Sequence, residues 1–275
     1  MRSRIVIVML CLLAAAGLIG CERRDWRRAN RINTIESYEQ FLAKYPQSRF
    51  RETAEERIDI GSYDQAVKQN TISAYEKYLA AFPAGQFATN ARNQRLTLIQ
   101  FAVKALPDDR IAAARVHLET DKGNMILRLF PEQAPVTTRN FLTLALANFY
   151  DGLTFHRVEK NILVQTGDPR GDSLGGPGYM IPFESNGLKN RRGAVAMWHS
   201  PVSVNTGGSQ FYLCLQDLPD RDGMYTVFGE AIDGMSVADA IGRVETSGAK
   251  GYPPFQPLAP IRLARVWVEG LEIKR

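Results

Sequence analysis

The sequence predicts a multi-domain chain: all-α helical-hairpin repeats, followed by a mainly-β closed barrel with two capping helices. Three observations carry this reading. A helical pattern in the first part of the chain recurs at an offset of 37 residues. From Arg115 onward the apolar period shortens from the helical value of about 3.6 to the strand value of about 2. Between the two regions, Ala105-Leu106-Pro107-Asp108-Asp109 breaks the helical pattern with residues suited to a turn. The predicted division is 1–20 as a leader, 21–106 as helical repeats, 107–113 as a linker and 114–275 as the barrel domain.

The leader is read from its charge and its apolar run. Met1-Arg2-Ser3-Arg4 is a positive start, and an apolar run extends from Ile5 to Ile19, the layout of a secretory signal. The run closes on Leu18-Ile19-Gly20-Cys21, which resembles the bacterial lipobox. That resemblance implies lipidation of Cys21 and a bacterial membrane anchor. By resemblance to lipoprotein sorting in two-membrane bacteria, Glu22, with no Asp at that position, implies the outer membrane facing the periplasm. A retained transmembrane helix is the competing reading, although the run is short against the roughly 20 residues a span needs. Arg23, Arg24, Arg27, Arg28 and Arg31 follow; they suit either anionic head groups or a solvated helix face.

The repeat comes next. Asn33-Thr34-Ile35-Glu36-Ser37-Tyr38-Glu39 recurs as Asn70-Thr71-Ile72-Ser73-Ala74-Tyr75-Glu76. The same offset relates Leu42 to Leu79, Ala43 to Ala80, Pro46 to Pro83, Phe50 to Phe87 and Ala54 to Ala91. Backwards it relates Trp26 to Tyr63 and Ala29 to Ala66. A fixed period of this size marks stacked supersecondary units. Ile35, Tyr38, Leu42 and Tyr45 share one helix face, Asn33 or Thr34 can cap the start, and Pro46 stops the helix. A second helix is expected from about Ser48 towards Ala66, with Gly61 as its weak point. The pattern resembles tetratricopeptide repeats. Two units are fewer than a solenoid needs, so a face must be covered by another domain, a second copy or a protein partner. A spacer role is equally open.

In the barrel region, Val116 to Thr120 and Asn124 to Phe130 flank Asp121-Lys122-Gly123 and read as a hairpin. Thr137 to Phe149 reads as a helix. Short strands follow at Ala194–Met197, Gln210–Leu215 and Tyr225–Phe228. A second helix spans Met235 to Val244, and Arg262 to Val268 is a last strand. Many short strands with two helices suit a closed antiparallel barrel.

Composition narrows the function. The formal charge of +5 falls to +3 without Arg2 and Arg4. No basic stripe with interleaved aromatics appears, so nucleic acid is not indicated. Cys11, Cys21 and Cys214 form no C-x-x-C pair, so neither a zinc site nor a redox pair is supported. Cys214 reads as a small buried apolar residue. Arg170-Gly171-Asp172-Ser173 reads as a loop, not an adhesion motif. Gly175–Gly178 lacks the strand–turn–helix context of a phosphate loop.

Five further runs share one resemblance. They are Phe149-Tyr150-Asp151-Gly152-Leu153-Thr154-Phe155-His156-Arg157-Val158, Val164-Gln165-Thr166-Gly167-Asp168, Gly175-Gly176-Pro177-Gly178-Tyr179, Gly208-Ser209-Gln210-Phe211-Tyr212 and Tyr225-Thr226-Val227-Phe228-Gly229. In order and spacing, from about residue 115 to 270, they resemble the cyclophilins. The resemblance implies an eight-stranded closed barrel and peptidyl-prolyl cis/trans isomerisation, a reaction needing neither nucleophile nor metal nor cofactor. It implies Arg157 as the catalytic arginine and Gln165 as its positioning partner. Leu163, Tyr212 and Ile162 fall at the proline pocket, and Gln210, His199 and Tyr225 among the substrate contacts. Phe155, His156 and His117 are expected to be structural.

Departures from the family are also legible. Tyr212 replaces the commoner Phe, and its hydroxyl needs a partner. Ile162 stands where Phe is frequent. The loop from Met197 to Thr206 is unusual and longer. Asp220-Arg221-Asp222-Gly223 and Tyr225 stand where eukaryotic members carry Trp and His, so weak binding of cyclosporin-type macrocycles is expected. Two functions follow. One is a membrane-anchored isomerase acting on proline-containing exported polypeptides. The other is a scaffold that binds proline peptides or partners through the repeats and the pocket.

Overall fold

The structure, a computed structural model, describes residues 21–274. The leader reading of residues 1–20, Cys11 included, lies outside the described residues; Cys21 is described and exposed. Among the described residues, no helix is long and apolar enough to cross a membrane. The chain divides into two compact units between Arg95 and Leu96, within a helix and upstream of the expected linker.

The first unit is helical: α1 (21–32), α2 (Ile35–Lys44), α3 (Arg51–Gln69), α4 (Ile72–Ala81) and the start of α5 (Ala88–Lys104). The offset of 37 is visible in its chemistry. Thr34 caps α2 by accepting from Ser37 N at 3.3 Å, and Thr71 caps α4 by accepting from Ala74 N at 3.2 Å. Before each cap an Asn takes the left-handed conformation, Asn33 at φ 54° and Asn70 at φ 48°, which Asn tolerates better than most residues. Trp26 stacks on Phe50 at 4.9 Å between centroids, and Tyr63 on Phe87 at 4.5 Å. Ala54 and Ala91 are both fully buried. One further pair was not read from sequence: Glu22 accepts from Ser48 Oγ at 2.5 Å, and Asp59 accepts from Tyr78 Oη at 2.5 Å and Gln86 N at 2.8 Å. Burial and Asp59 push the Tyr78 phenol up to about 12. α3 runs through Gly61 without a break, and Ile35 packs against it, 3.0 Å from where a Cβ would stand.

In the second unit, Asp108–Ala113 forms helix α6 where a linker was expected. Ile111 anchors it by burial, and Arg139 donates to Asp108 Oδ1 at 2.6 Å and to Leu106 O at 3.0 Å. The strands are β1 (Arg115–Thr120), β2 (Gly123–Leu129), β3 (Leu153–Thr154), β4 (Arg157–Glu159), β5 (Leu163–Thr166), β6 (Ala194–Met197), β7 (Phe211–Cys214), β8 (Thr226–Asp233) and β9 (Arg262–Glu269). The helices are α7 (Pro135–Leu146) and α8 (Met235–Ile241). All nine strands join one sheet in the order β3-β9-β1-β2-β8-β6-β7-β5-β4.

This corrects the expected closed eight-stranded barrel: the sheet is a curled half-barrel whose edges, β3 and β4, make no ladder with each other. The reason is local. Phe155 N donates to Ile261 O and Val158 N to Phe255 O, so backbone donors between the edges go to the segment before β9. One side-chain bond, Thr166 Oγ1 to Thr154 O at 2.9 Å, reaches across.

α7 begins at Pro135, a favoured first helical position. Its N-terminus is held by Glu184, which accepts from Val136 N at 2.9 Å, Thr137 N at 2.8 Å and Thr137 Oγ1 at 2.6 Å. Phe141 projects from α7 onto Tyr150, Phe211 and Phe228, with centroids 5.1–5.3 Å away. This aromatic cluster is the core of one sheet face. Alternation along the strands leaves the other face to a second cluster around Leu163, Ala196, Tyr212 and Cys214.

Candidate active site

The second cluster is the floor of the site. Sheet register places Arg157 opposite Gln165, Gln165 opposite Tyr212, Tyr212 opposite Ala196, and Ala196 opposite Val227. Residues opposite one another share a face, and so do residues two apart along a strand. Glu159, Leu163 and Cys214 therefore stand beside that row.

Arg157 keeps about a fifth of its side chain exposed (21%). Its Nε and Nη2 donate to Glu159 Oε1 at 3.0 and 2.8 Å. Its guanidinium carbon lies 5.0 Å from the Phe255 ring centroid and 5.9 Å from that of Trp198, within cation–π range. Phe255 itself adopts φ 60°, an uncommon, strained conformation for a bulky residue.

Gln165 does not hold Arg157, although it lies directly across the ladder. Its Nε2 donates to Gln210 Oε1 at 2.8 Å, and Gln210 Nε2 donates to Gly175 O at 2.9 Å. The buried Oε1 of Gln165 has no protein partner. Glu159 does the holding. Its sequence signal was position alone, two residues after Arg157 in a strand and so on the same face.

Tyr212 and Leu163 are fully buried. The Tyr212 hydroxyl finds its partner in Asn190, donating to Oδ1 at 2.7 Å; burial raises its pKa far above the usual phenol. Ile162 and Tyr225 pack against the same cluster. Trp198 stacks on Tyr225 at 5.4 Å and His199 on its ring at 4.5 Å. His199 is buried, with one ring nitrogen 3.0 Å from Ser200 O and the other 2.8 Å from Met224 O. It ties two loops together instead of facing outward. Arg221, noted in the sequence as a departure from the family, lies over Tyr212 at 5.2 Å and Tyr225 at 5.6 Å.

A cavity of about 730 Å³ opens beside this cluster, lined by Gly175, Tyr179, Val202, Trp198 and Gln210 among others. Arg157, Leu163 and Tyr212 do not line it. Gly167 braces its rear: at φ 90° it backs directly onto Ser209 O, where no side chain fits. Ser209 Oγ donates back to Gly167 O at 2.6 Å. His156 is buried with both ring nitrogens lacking a protein partner. Burial pushes its pKa down, partly offset by nearby Asp168. Cys214 is buried and its thiol is pushed up to about 12.

The family profile for cyclophilin type peptidyl-prolyl cis-trans isomerases, CLD included, matches residues 115–266. The chain belongs to the cyclophilin family. Peptidyl-prolyl cis-trans isomerases of Helicobacter pylori and Synechococcus elongatus are 47% and 46% identical to this cyclophilin over 128 and 120 residues. Those matches cover 45% and 44% of the chain, and 77% and 81% of the relatives. A cyclophilin type isomerase of Cryptosporidium parvum, solved in the presence of the dipeptide Ala-Pro, superposes with a TM-score of 0.52 at 30% identity. It covers 56% of this chain and 98% of its own. The chain is thus a cyclophilin-type peptidyl-prolyl cis-trans isomerase, and the profile match leaves the helical repeats outside it.

Proposed function

We propose that this cyclophilin accelerates X-Pro rotation in exported polypeptides from a lipid anchor at Cys21, with Arg157 as the catalytic residue. Rotation must break amide resonance over a barrier of roughly 18–20 kcal/mol. Moving from tens of seconds to milliseconds takes about 6 kcal/mol off that barrier. The twisted bond returns a lone pair to the prolyl nitrogen, and a fixed cationic donor favours that state over the planar one. Arg157 suits this role. It is permanently charged, partly exposed, oriented by Glu159 and placed on one face with Gln165, Leu163 and Tyr212. That juxtaposition carries the reading. Gln165, with an unused acceptor, is assigned the substrate backbone, and Leu163, Ile162, Tyr212 and Tyr225 the proline slot.

A protease-coupled peptide assay on the mature chain tests it. Arg157→Ala is expected to lose on the order of 10²-fold or more in kcat/KM, the scale of removing one aimed donor. Equal rates would remove the catalytic assignment. The anchor is tested separately by mass spectrometry of the mature N-terminus with membrane fractionation; an unlipidated, freely soluble product overturns it. The exposed Cys21 is consistent with modification.

A second reading, partner binding through tetratricopeptide-like hairpins, is favoured by one observation. The helical unit carries its own groove of about 340 Å³, lined by Ile35, Glu39, Ser62, Lys77 and Phe82 among others. Loss of cargo association on substituting Lys77 and Glu39, with peptide turnover unaffected, would support it.

A further inference from the structure

Arg221 sits where a prolyl ring is expected. Its guanidinium covers Tyr212 and Tyr225 at 5.2 and 5.6 Å, while Tyr212 has no exposed surface. One nitrogen, Nη2, reaches Glu159 Oε1 at a loose 3.5 Å. The other, Nη1, is buried with no protein partner. The ring contacts favour the cation, but a buried Nη1 without a hydrogen bond costs free energy and the ion pair to Glu159 is long, so the cage holds Arg221 less firmly than a fully bonded guanidinium. The same Glu159 oxygen is already the short-range partner of Arg157, at 2.8 Å from Nη2. The carboxylate is therefore shared between two guanidiniums and serves one of them well.

From this arrangement we infer that Arg221 is a gating and specificity-determining residue of the isomerase site. It occupies the slot in the resting enzyme and swings to the rim when a proline enters. The inference rests on the assignment of Tyr212 as the slot floor and Arg157 as the catalytic residue. Leaving the cage, Arg221 gives its share of Glu159 back to Arg157, so admission of substrate and orientation of the catalytic guanidinium are linked. At the rim its charge is free for a carboxylate of the incoming chain. Peptides with an acidic residue beside the prolyl bond are accordingly preferred over those with a basic one.

The apparent KM of a gated site is the intrinsic value divided by the open fraction. With the gate open about a fifth of the time, Arg221→Leu lowers KM for an Ala-Pro peptide about fivefold, with kcat retained. Arg221→Lys keeps the charge and loses the planar stack, and gives an intermediate KM. Raising salt to about 1 M, where the Debye length is about 3 Å, weakens the tie to Glu159 and lowers KM of the wild type but not of Arg221→Leu. The preference for Glu-Pro over Lys-Pro peptides is lost in Arg221→Leu. KM is read from two-dimensional exchange spectra of each peptide, on variants whose thermal midpoints match the wild type. An unchanged or raised KM in both Arg221 variants, with Arg157→Ala inactive, overturns the gate and leaves the site assignment standing. Full activity in Arg157→Ala overturns the assignment beneath it.

Discussion

Glu159 gives Arg157 a fixed direction, and this has a kinetic signature. Glu159→Gln keeps the shape but removes the charge assistance of the two bonds at 3.0 and 2.8 Å. The expected outcome is a fall in kcat of about tenfold, equivalent to about 1.4 kcal/mol, measured beside Arg157→Ala. An unchanged kcat would show that Phe255 and Trp198 orient the guanidinium unaided. His156 makes a prediction about acid stability. Its folded pKa lies below the unfolded value of 6.5, so at lower pH the unfolded chain binds the extra proton first. Stability therefore falls as pH drops below about 6.5 and levels off only below the folded pKa. Urea midpoints between neutral pH and pH ~5 should show this slope, and His156→Gln should flatten it. Cys214, with its thiol at about 12, should resist maleimide in the native state and react once the chain unfolds.

Among the elements, α7 depends on a residue from a distant loop. Glu184 supplies three acceptor contacts to its first turn, and a carboxylate there also complements the helix dipole. Glu184→Ala should cost about 1.5–3 kcal/mol in chemical denaturation; a loss below about 0.5 kcal/mol would mean that water replaces it. How far the sequence disclosed such features follows from the range of the interaction. The repeat was legible down to Trp26/Tyr63 and Phe50/Phe87, because both members of each stack recur at a constant offset. The hairpin, read over Val116–Phe130 and found at Arg115–Leu129, was legible because its turn is local. Glu184 under α7 and Arg221 over Tyr212 were not, since each joins segments whose proximity exists only after the sheet forms. Gln165 was expected to position Arg157; it stands opposite it in the ladder, yet its side-chain partner is Gln210. Register fixes which backbones meet, and the side-chain exchange is settled by a third strand. The barrel was expected to close because the strand count suited closure; the change of hydrogen-bond partner at Phe155 and Val158 carries no mark in the apolar pattern.

For the whole molecule, family membership accounts for residues 115–266 and leaves the helical unit outside the match. Trp26–Phe50 and Tyr63–Phe87 are stacked pairs at equivalent positions of the two repeats, and such a pair contributes about 0.5–1.5 kcal/mol beyond its buried area. Tyr63→Ala should therefore lower the cooperative melting of the helical signal, at a cost of about 2 kcal/mol or more. Turnover of a short proline peptide should stay within about twofold of wild type, a difference of under 0.5 kcal/mol. A parallel collapse of both would mean that the repeats are needed to fold the enzyme.

Phe255 couples backbone strain to the orientation of Arg157. Its left-handed backbone carries a penalty of about 1–3 kcal/mol, and its ring is what lies beneath the Arg157 guanidinium. Natural drift at this position faces opposed rewards. A glycine or asparagine would sit there at ease and leave the arginine without its platform, whereas the phenylalanine keeps the platform and bears the discomfort.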